Sequence, residues 1–273
     1  SSSSSGSSSS SVTPHSLDTG LVSYYKFEDD WTDAKGSNDG TTSNGTFSDG
    51  TKSEGTKTAT FNGSNAYTSL GSDASLDIFK GNTDASWSFW VKYDDVSALN
   101  NDIMGESNGG GASPKWAIMV NFVNTQGKIN YLFHNGSSEV HITWDFNATN
   151  DTWYHYTFVK SSSTSEITLY IDGVSQGTQG IGSGPNPAMA SDLRLGSDGE
   201  GWNFFGGDLD ELGIWNKVLT QEEITALYNS GDGKTFDATA GFGTLTESTS
   251  EASSEETTPT VQVVAWEAAG TNQ

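Results

Sequence analysis

The sequence predicts an all-β fold, a two-sheet antiparallel sandwich closed by one short C-terminal helix. Three observations carry this. Apolar and polar residues alternate with period two in about a dozen short runs separated by Gly, Asn and Asp turn signals. Aromatic residues make up 11% of the chain, with nine Trp to fill a core, whereas charged residues are only 17%. Polarity therefore comes from Ser, Thr, Asn and Gly, the residues of turns rather than of helix surfaces. The third observation is residues 204–231, around which the chain is organised. Leu209, Glu211, Gly213 and Trp215 alternate there with Asp210, Leu212 and Ile214, the period of a strand. A helix follows with complete boundary signals. Thr220 is placed as N-cap with Glu223 at N3, Leu219 can staple onto Ile224, and Asn229 and Gly231 supply the stop.

Residues 1–19 form a Ser-rich leader that cannot bury apolar surface. The domain then opens on alternating residues from Leu21 to Phe27 and runs to Gly231. Residues 28–58 read as one long polar loop whose large apolar groups are Trp31 and Phe47, and 94–114 read as a second loop. Between and after them, strands are expected at 58–61, 66–70, 87–93, 116–123, 128–134, 139–146, 153–160, 166–171, 174–176 and 193–195. Asp172-Gly173 is a hairpin turn signal. Residues 232–260 read as a Ser/Thr/Glu-rich linker. Residues 261–273 then carry Val261, Val263, Val264 and Trp266, an uncharged strand outside the sandwich.

Twelve basic residues against 35 acidic ones give a net charge of −23, which repels nucleic acid and anionic membrane surfaces. With no Cys there is no disulfide and no thiol chemistry. No run of 18 apolar residues spans a membrane. The Ser-rich start without Met reads as that of a mature secreted, surface-exposed protein or of an excised fragment. Sequons at Asn44, Asn62, Asn135, Asn147 and Asn150 are no more than such a composition produces by chance.

Phe205-x-Gly207-x-Leu209-Asp210-Glu211, followed by Ile214-Trp215, Leu219, Glu223-Ile224 and Leu227-Tyr228, resembles the closing signature of laminin G-like, concanavalin A-like jelly-roll modules. Residues 20–30, 38–41, 59–67, 88–93, 153–160 and 167–173 resemble further parts of that family, in its order. The resemblance implies a jelly-roll topology with Phe205 in the core. It implies less about function, because such modules bind sugars, bind proteins, decorate enzymes or space them. Hydrolases of this fold carry a Glu-x-Asp-x-x-Glu strand. Asp208-Leu209-Asp210-Glu211 lacks that spacing, and period two points Asp210 and Glu211 to opposite faces. His15, His134, His141 and His155 show no zinc spacing. A non-catalytic module is the expectation.

Hard oxygen ligands for Ca²⁺ cluster in residues 28–39, chiefly Glu28, Asp30, Asp33 and Asn38. The resemblance adds Asp210, because related jelly rolls join the start of the domain to the closing-strand Asp through a structural calcium. The alternative is that these residues serve as turn formers. For carbohydrate, an exposed aromatic platform is needed. Trp202, in a Gly-rich loop, is the leading candidate, followed by Trp116 and Trp31, while strand tryptophans are core residues. Three functions are thus expected in order. The first is calcium-stabilised recognition of a glycan or surface protein. The second is a structural subunit of an extracellular filament or virion surface, joined by exchange of the 261–266 strand. The third is an accessory module of a hydrolase.

Overall fold

The computed structural model describes residues 16–107, 115–121, 126–145, 147–185, 191–198 and 203–243. Fifteen strands are found among them. In chain order they are β1 (Leu21–Tyr25), β2 (Thr41–Ser43), β3 (Thr46–Asp49), β4 (Lys57–Asn62), β5 (Tyr67–Gly71), β6 (Ala85–Tyr93), β7 (Asn101–Ser107) and β8 (Lys115–Val120). Then follow β9 (Lys128–His134), β10 (Glu139–Asp145), β11 (Trp153–Ser161), β12 (Glu166–Ile171), β13 (Val174–Gly180), β14 (Leu193–Leu195) and β15 (Gly206–Trp215). The first sheet runs β13-β12-β11-β6-β15-β4-β3, with β1 also on β15, and the second runs β10-β9-β8-β7-β14-β5-β2. All pairings between these strands are antiparallel. The two-sheet antiparallel jelly roll expected from the sequence is what the chain forms.

Alternation of side chains along the central strands puts one row of each into the space between the sheets. Trp87 of β6 stacks on Phe158 of β11 at 5.6 Å, and Phe79 stacks on Trp116 of β8 at 4.7 Å. These rings and some thirty other buried side chains form one continuous core. Rings packed in this way contribute about 0.5–1.5 kcal/mol per pair beyond the area they bury. Fully buried Lys160 donates from Nζ to the carbonyls of Ile78, Phe79 and Gly81 at 3.0–3.1 Å. It thereby caps the 3₁₀ turn Ala74–Phe79. Burial pulls its pKa down to about 7, while the charge of Asp84 acts against that.

The helix α1 (Gln221–Tyr228) forms as its boundary signals predict. Thr220 accepts from Glu223 N–H, Glu223 reaches back to Thr220 N–H, and Asn229 adopts the left-handed C-cap. Leu219, Ile224 and Leu227 bury a second apolar cluster on the outer side of the first sheet, against Tyr24, Val159 and Trp215. Among the described residues no helix is long and apolar enough to cross a membrane.

Several sequence expectations require correction. The loop assigned to 28–58 contains the short β2–β3 pair, and the loop assigned to 94–114 contains β7. Both domain boundaries also move outward. Leu17 is fully buried, and its carbonyl accepts Trp215 Nε1–H at 2.7 Å, so the domain begins within the assigned leader. Phe236 and Phe242 belong to the outer cluster, and Phe242 N–H donates to Asp18 Oδ1 at 3.0 Å. Residues 232–243 are therefore a strap over the first sheet rather than linker. The segment with Val261, Val263, Val264 and Trp266 lies outside the described residues.

The alternation read along β15 also breaks. Its register against β6 shifts between Asp210 and Gly213, and Glu211 has φ +51°, the left-handed region that a non-glycine residue enters only under constraint. This bulge changes parity. Leu209, Leu212 and Ile214 all enter the main core, whereas Trp215 joins the outer cluster. Asp210 and Glu211 consequently do not diverge, and both are buried on the outer side. Glu211 accepts from Tyr24 Oη–H, and from Thr235 Oγ1–H at 2.5 Å. Asp210 Oδ1 accepts the N–H of Glu211 at 3.0 Å, and its Oδ2 the N–H of Lys52 at 2.7 Å. Burial pushes both carboxyl groups well above the ordinary carboxylate range, with the charge of Asp210 added at Glu211 and that of Glu28 at Asp210.

Two outcomes follow. Phe242→Ala should cost about 3 kcal/mol in urea unfolding, as for a buried ring, whereas a true linker residue would cost nothing measurable. The raised carboxyl pair binds protons in the folded chain that the unfolded chain has already released. The pair's contribution to stability should thus be full below pH ~4 and be lost as pH rises through neutrality. Glu211→Gln, an isostere of the protonated acid, should flatten that decline in urea midpoints measured from pH 5 to 8.5. An unchanged slope would show that Glu211 is ionised.

Candidate functional site

At the end of the sandwich where β15 begins, three segments enclose an open cleft of about 460 Å³. They are the β4–β5 turn, the β6–β7 connection and residues 203–206. Backbone hydrogen bonds lace them together. Gly63 N–H donates to Phe205 O at 2.9 Å, Asp94 N–H to Gly206 O at 3.2 Å, and Asp102 N–H to Asn203 O at 3.1 Å. The side chains of Asn62 and Asn101 are part of this frame. Asn62 Oδ1 accepts the N–H groups of Ser64, Asn65 and Ala66 at 3.0–3.1 Å, and Asn101 Oδ1 accepts that of Gly206 at 3.2 Å. Gly207 shows why the closing signature needs glycine at this point. Its φ is +149°, and a Cβ there would lie 2.1 Å from the carbonyl oxygen of Lys92.

Two polar side chains in the cleft remain uncommitted. The Asp94 carboxylate and the Asn203 carboxamide take no hydrogen bond among the described residues, although Asp94 and Asn203 are anchored through their backbones. Desolvation, followed by the charge of Asp208, raises the Asp94 pKa, and Lys92 opposes this. Asp95 is held in its turn by the N–H of Ser97 at 2.8 Å and its hydroxyl at 2.6 Å. Half-buried Phe204 and half-exposed Leu99 supply apolar surface between them. Chemically this is an acceptor pair, a donor-acceptor amide and two apolar patches on a fixed frame.

The five residues assigned to calcium are distributed over different tasks. Asp33 is buried, with Oδ1 accepting the N–H groups of Tyr24, Lys35 and Gly36 at 2.9–3.0 Å and Oδ2 that of Asn38 at 3.1 Å. Asn38 places its amide between the hydroxyls of Ser23 and Ser75. Glu28 accepts from the N–H groups of Thr56 at 2.8 Å and Lys57 at 3.3 Å, and Asp30 accepts that of Thr32 at 3.0 Å. Asp210 belongs to the buried pair described above. Hydrogen-bond donors thus face these oxygens, and among the described residues no three His, Cys, Asp or Glu side chains gather as metal ligands. In the described residues these oxygens accept hydrogen bonds that organise loops.

Of the aromatic candidates, Trp116 is corrected outright. It is fully buried, stacked on Phe79, and its Nε1–H donates to buried Glu106 at 3.1 Å, so no sugar reaches it. Trp31 is half-buried and lies 4.6 Å from Phe47 and 5.7 Å from Phe27, sealing the loop against the core. Trp202 lies outside the described residues. Asp94, Asp95, Leu99 and Asn203 were not singled out by sequence, although Asn203 directly follows Trp202. Asp94 carries no motif; it directly follows β6, and its N–H bond to Gly206 of β15 sets its position.

The family model described as concanavalin A-like lectin/glucanases superfamily matches residues 61–225, more than half of the chain. The fold is similar to domain 4 of AbnA, a GH43 extracellular arabinanase from Geobacillus stearothermophilus, in complex with arabinotriose. That match has a TM-score of 0.50 and 19% identity, covering 75% of this chain and 96% of that one. It is similar also to the binding domain of Paraclostridial Mosquitocidal Protein 1, with a TM-score of 0.57 and 20% identity. That match covers 78% of this chain and 53% of the other, so this chain spans about half of that structure's length. The CBM40 of Ruminococcus gnavus IT-sialidase bound to alpha2,3 sialyllactose has a TM-score of 0.50 and 12% identity, over 69% of this chain and 98% of that one. At these identities the likenesses show a common fold. Joined to the closing signature and to the match over residues 61–225, they place this chain in the concanavalin A-like lectin/glucanases superfamily.

Proposed function

We propose that the chain is a non-catalytic recognition module whose cleft binds a saccharide. The observation that carries this is the pair of uncommitted polar side chains, Asp94 and Asn203, set beside Phe204 and Leu99 on a rigid frame. A sugar ring offers hydroxyls that donate to a carboxylate, hydroxyls that pair with an amide, and C–H faces that pack on apolar surface. Preorganised groups also keep the entropic cost of binding low. Similar folds seen with arabinotriose and with sialyllactose support the choice of ligand class. The non-catalytic part rests on the other carboxyl pair. Asp210 and Glu211 are sealed beneath the strap and out of reach of any substrate.

Assembly by strand addition is the second reading, and β13 is the edge that favours it. All seven of its residues are exposed and none is charged. That edge is nevertheless blunted, because the Gly177 carbonyl accepts Trp144 Nε1–H at 2.9 Å and the register slips against β12. Recognition therefore leads.

Calorimetric titration with arabino-oligosaccharides and lactose-based oligosaccharides tests the proposal. Asp94→Asn and Phe204→Ala should each weaken binding at least tenfold, about 1.4 kcal/mol, with the unfolding midpoint little changed. If Trp202 is quenched by the same ligand, with Trp202→Phe abolishing the signal, it is the aromatic neighbour of the site. Affinity untouched by both cleft substitutions, or no saccharide bound, would overturn the assignment.

A further inference from the structure

The cleft carries a charge pattern that bears on which saccharides it accepts. Its lining residues include two carboxylates, Asp94 and Asp95, and no Lys, Arg or His. Lys92 is the cation that acts on Asp94, and it is already committed. Its Nζ lies 2.7 Å from Asp208 Oδ2 and 5.1 Å from the centroid of the Trp153 ring. Asp208 is in turn held by the hydroxyl of Thr60 at 2.6 Å. Swinging Lys92 into the cleft would leave Asp208, itself nearly buried, without its counter-ion. Among the described residues no positive side chain is thus available in the cleft to receive the carboxylate of a sialic acid or uronic acid.

We infer that the cleft selects neutral saccharides with vicinal hydroxyls and rejects sialylated ones, a specificity that rests on the saccharide-binding reading of the same site. An ionised carboxylate is an acceptor only, so it satisfies a diol and repels another carboxylate. Two adjacent hydroxyls of a neutral sugar can donate to the two oxygens of Asp94, and these charge-assisted bonds are the strong ones. An anionic sugar meets like charge at Asp94 and Asp95, in a cleft where Asp94 is partly desolvated and screening is incomplete. The net charge of −23 works in the same direction during encounter.

The test uses matched ligands on the intact chain. Lactose, α2,3-sialyllactose and the neutral trisaccharide galactosyl-lactose are titrated at about 0.1 M and about 1 M NaCl, over which the Debye length falls from about 10 Å to about 3 Å. Arabinotriose and its oxidised, carboxylate-bearing derivative form a second set. The neutral member of each set should bind at least tenfold tighter than the acidic one at low salt. That ratio should shrink at high salt, and it should shrink again in Asp95→Asn, which removes a charge while keeping an acceptor oxygen for Ser97. Galactosyl-lactose, similar in length to sialyllactose, should bind like lactose. An acidic sugar bound as tightly as its neutral partner would overturn the charge selection and leave saccharide binding standing. A ratio unmoved by salt and by Asp95→Asn, or galactosyl-lactose rejected along with sialyllactose, would also overturn it by showing exclusion through size. If no member of either set binds, the saccharide reading falls, and the selectivity falls with it.

Discussion

The bulge in β15 is the constraint on which the rest of the molecule depends. This strand is the hub of the first sheet, paired with β1, β4 and β6. A regular strand would have kept Leu209 on the same face as Glu211 and Trp215. With the extra residue, Leu209, Leu212 and Ile214 all reach the core, Trp215 is freed for the outer cluster, and Glu211 is turned beneath Tyr24 and Thr235. The strained backbone at Glu211 is thus held by contacts on both sides of the sheet. One inserted residue lets a single strand serve two apolar clusters.

The same strand separates two kinds of carboxyl group. Near its middle, Asp210 and Glu211 are shielded from water and satisfied by hydroxyl and amide donors from the strap, from Tyr24 and from the loop at Thr51 and Lys52. At its start, Asp94 N–H binds Gly206 O, and its carboxylate takes no hydrogen bond among the described residues. Burial raises the pKa in both places, but only the second offers its oxygens to a visitor. Perturbed ionisation alone therefore does not locate the site here, because the stronger perturbation belongs to the structural pair.

Much of the fold was legible because its signals are local. The capping box at Thr220 and Glu223 formed as read, and the strands from Lys128 to Ile171 lie close to their expected limits. β7 was missed because Asn101, Asp102, Gly105, Glu106 and Ser107 look like loop residues, yet all five are buried. That burial comes from pairing with β8 and β14, a nonlocal gain with no periodic trace. The bulge was invisible for a related reason, since period two is an assumption about a strand and not a property of its letters. Trp116 was misjudged although it opens an expected strand, and its place in β8 puts it in the core. Asp33 and Asp210 have the composition of cation ligands, but their donors lie in separate loops that only the folded chain reveals.

The closure of the strap onto the start of the domain has a mechanical consequence. Asp18 binds Phe242 N–H, so the polypeptide enters and leaves the domain side by side. This doorway lies by Leu21 and Trp215, which pair at the far end of β15 from Gly206. Ten residues of strand separate it from the cleft, a lever of roughly 30 Å. Among the described residues this doorway and the cleft lie at opposite ends of β15, so a pull applied at Ser16 and Gly243 loads the clasp between Asp18 and Phe242 before it reaches the cleft.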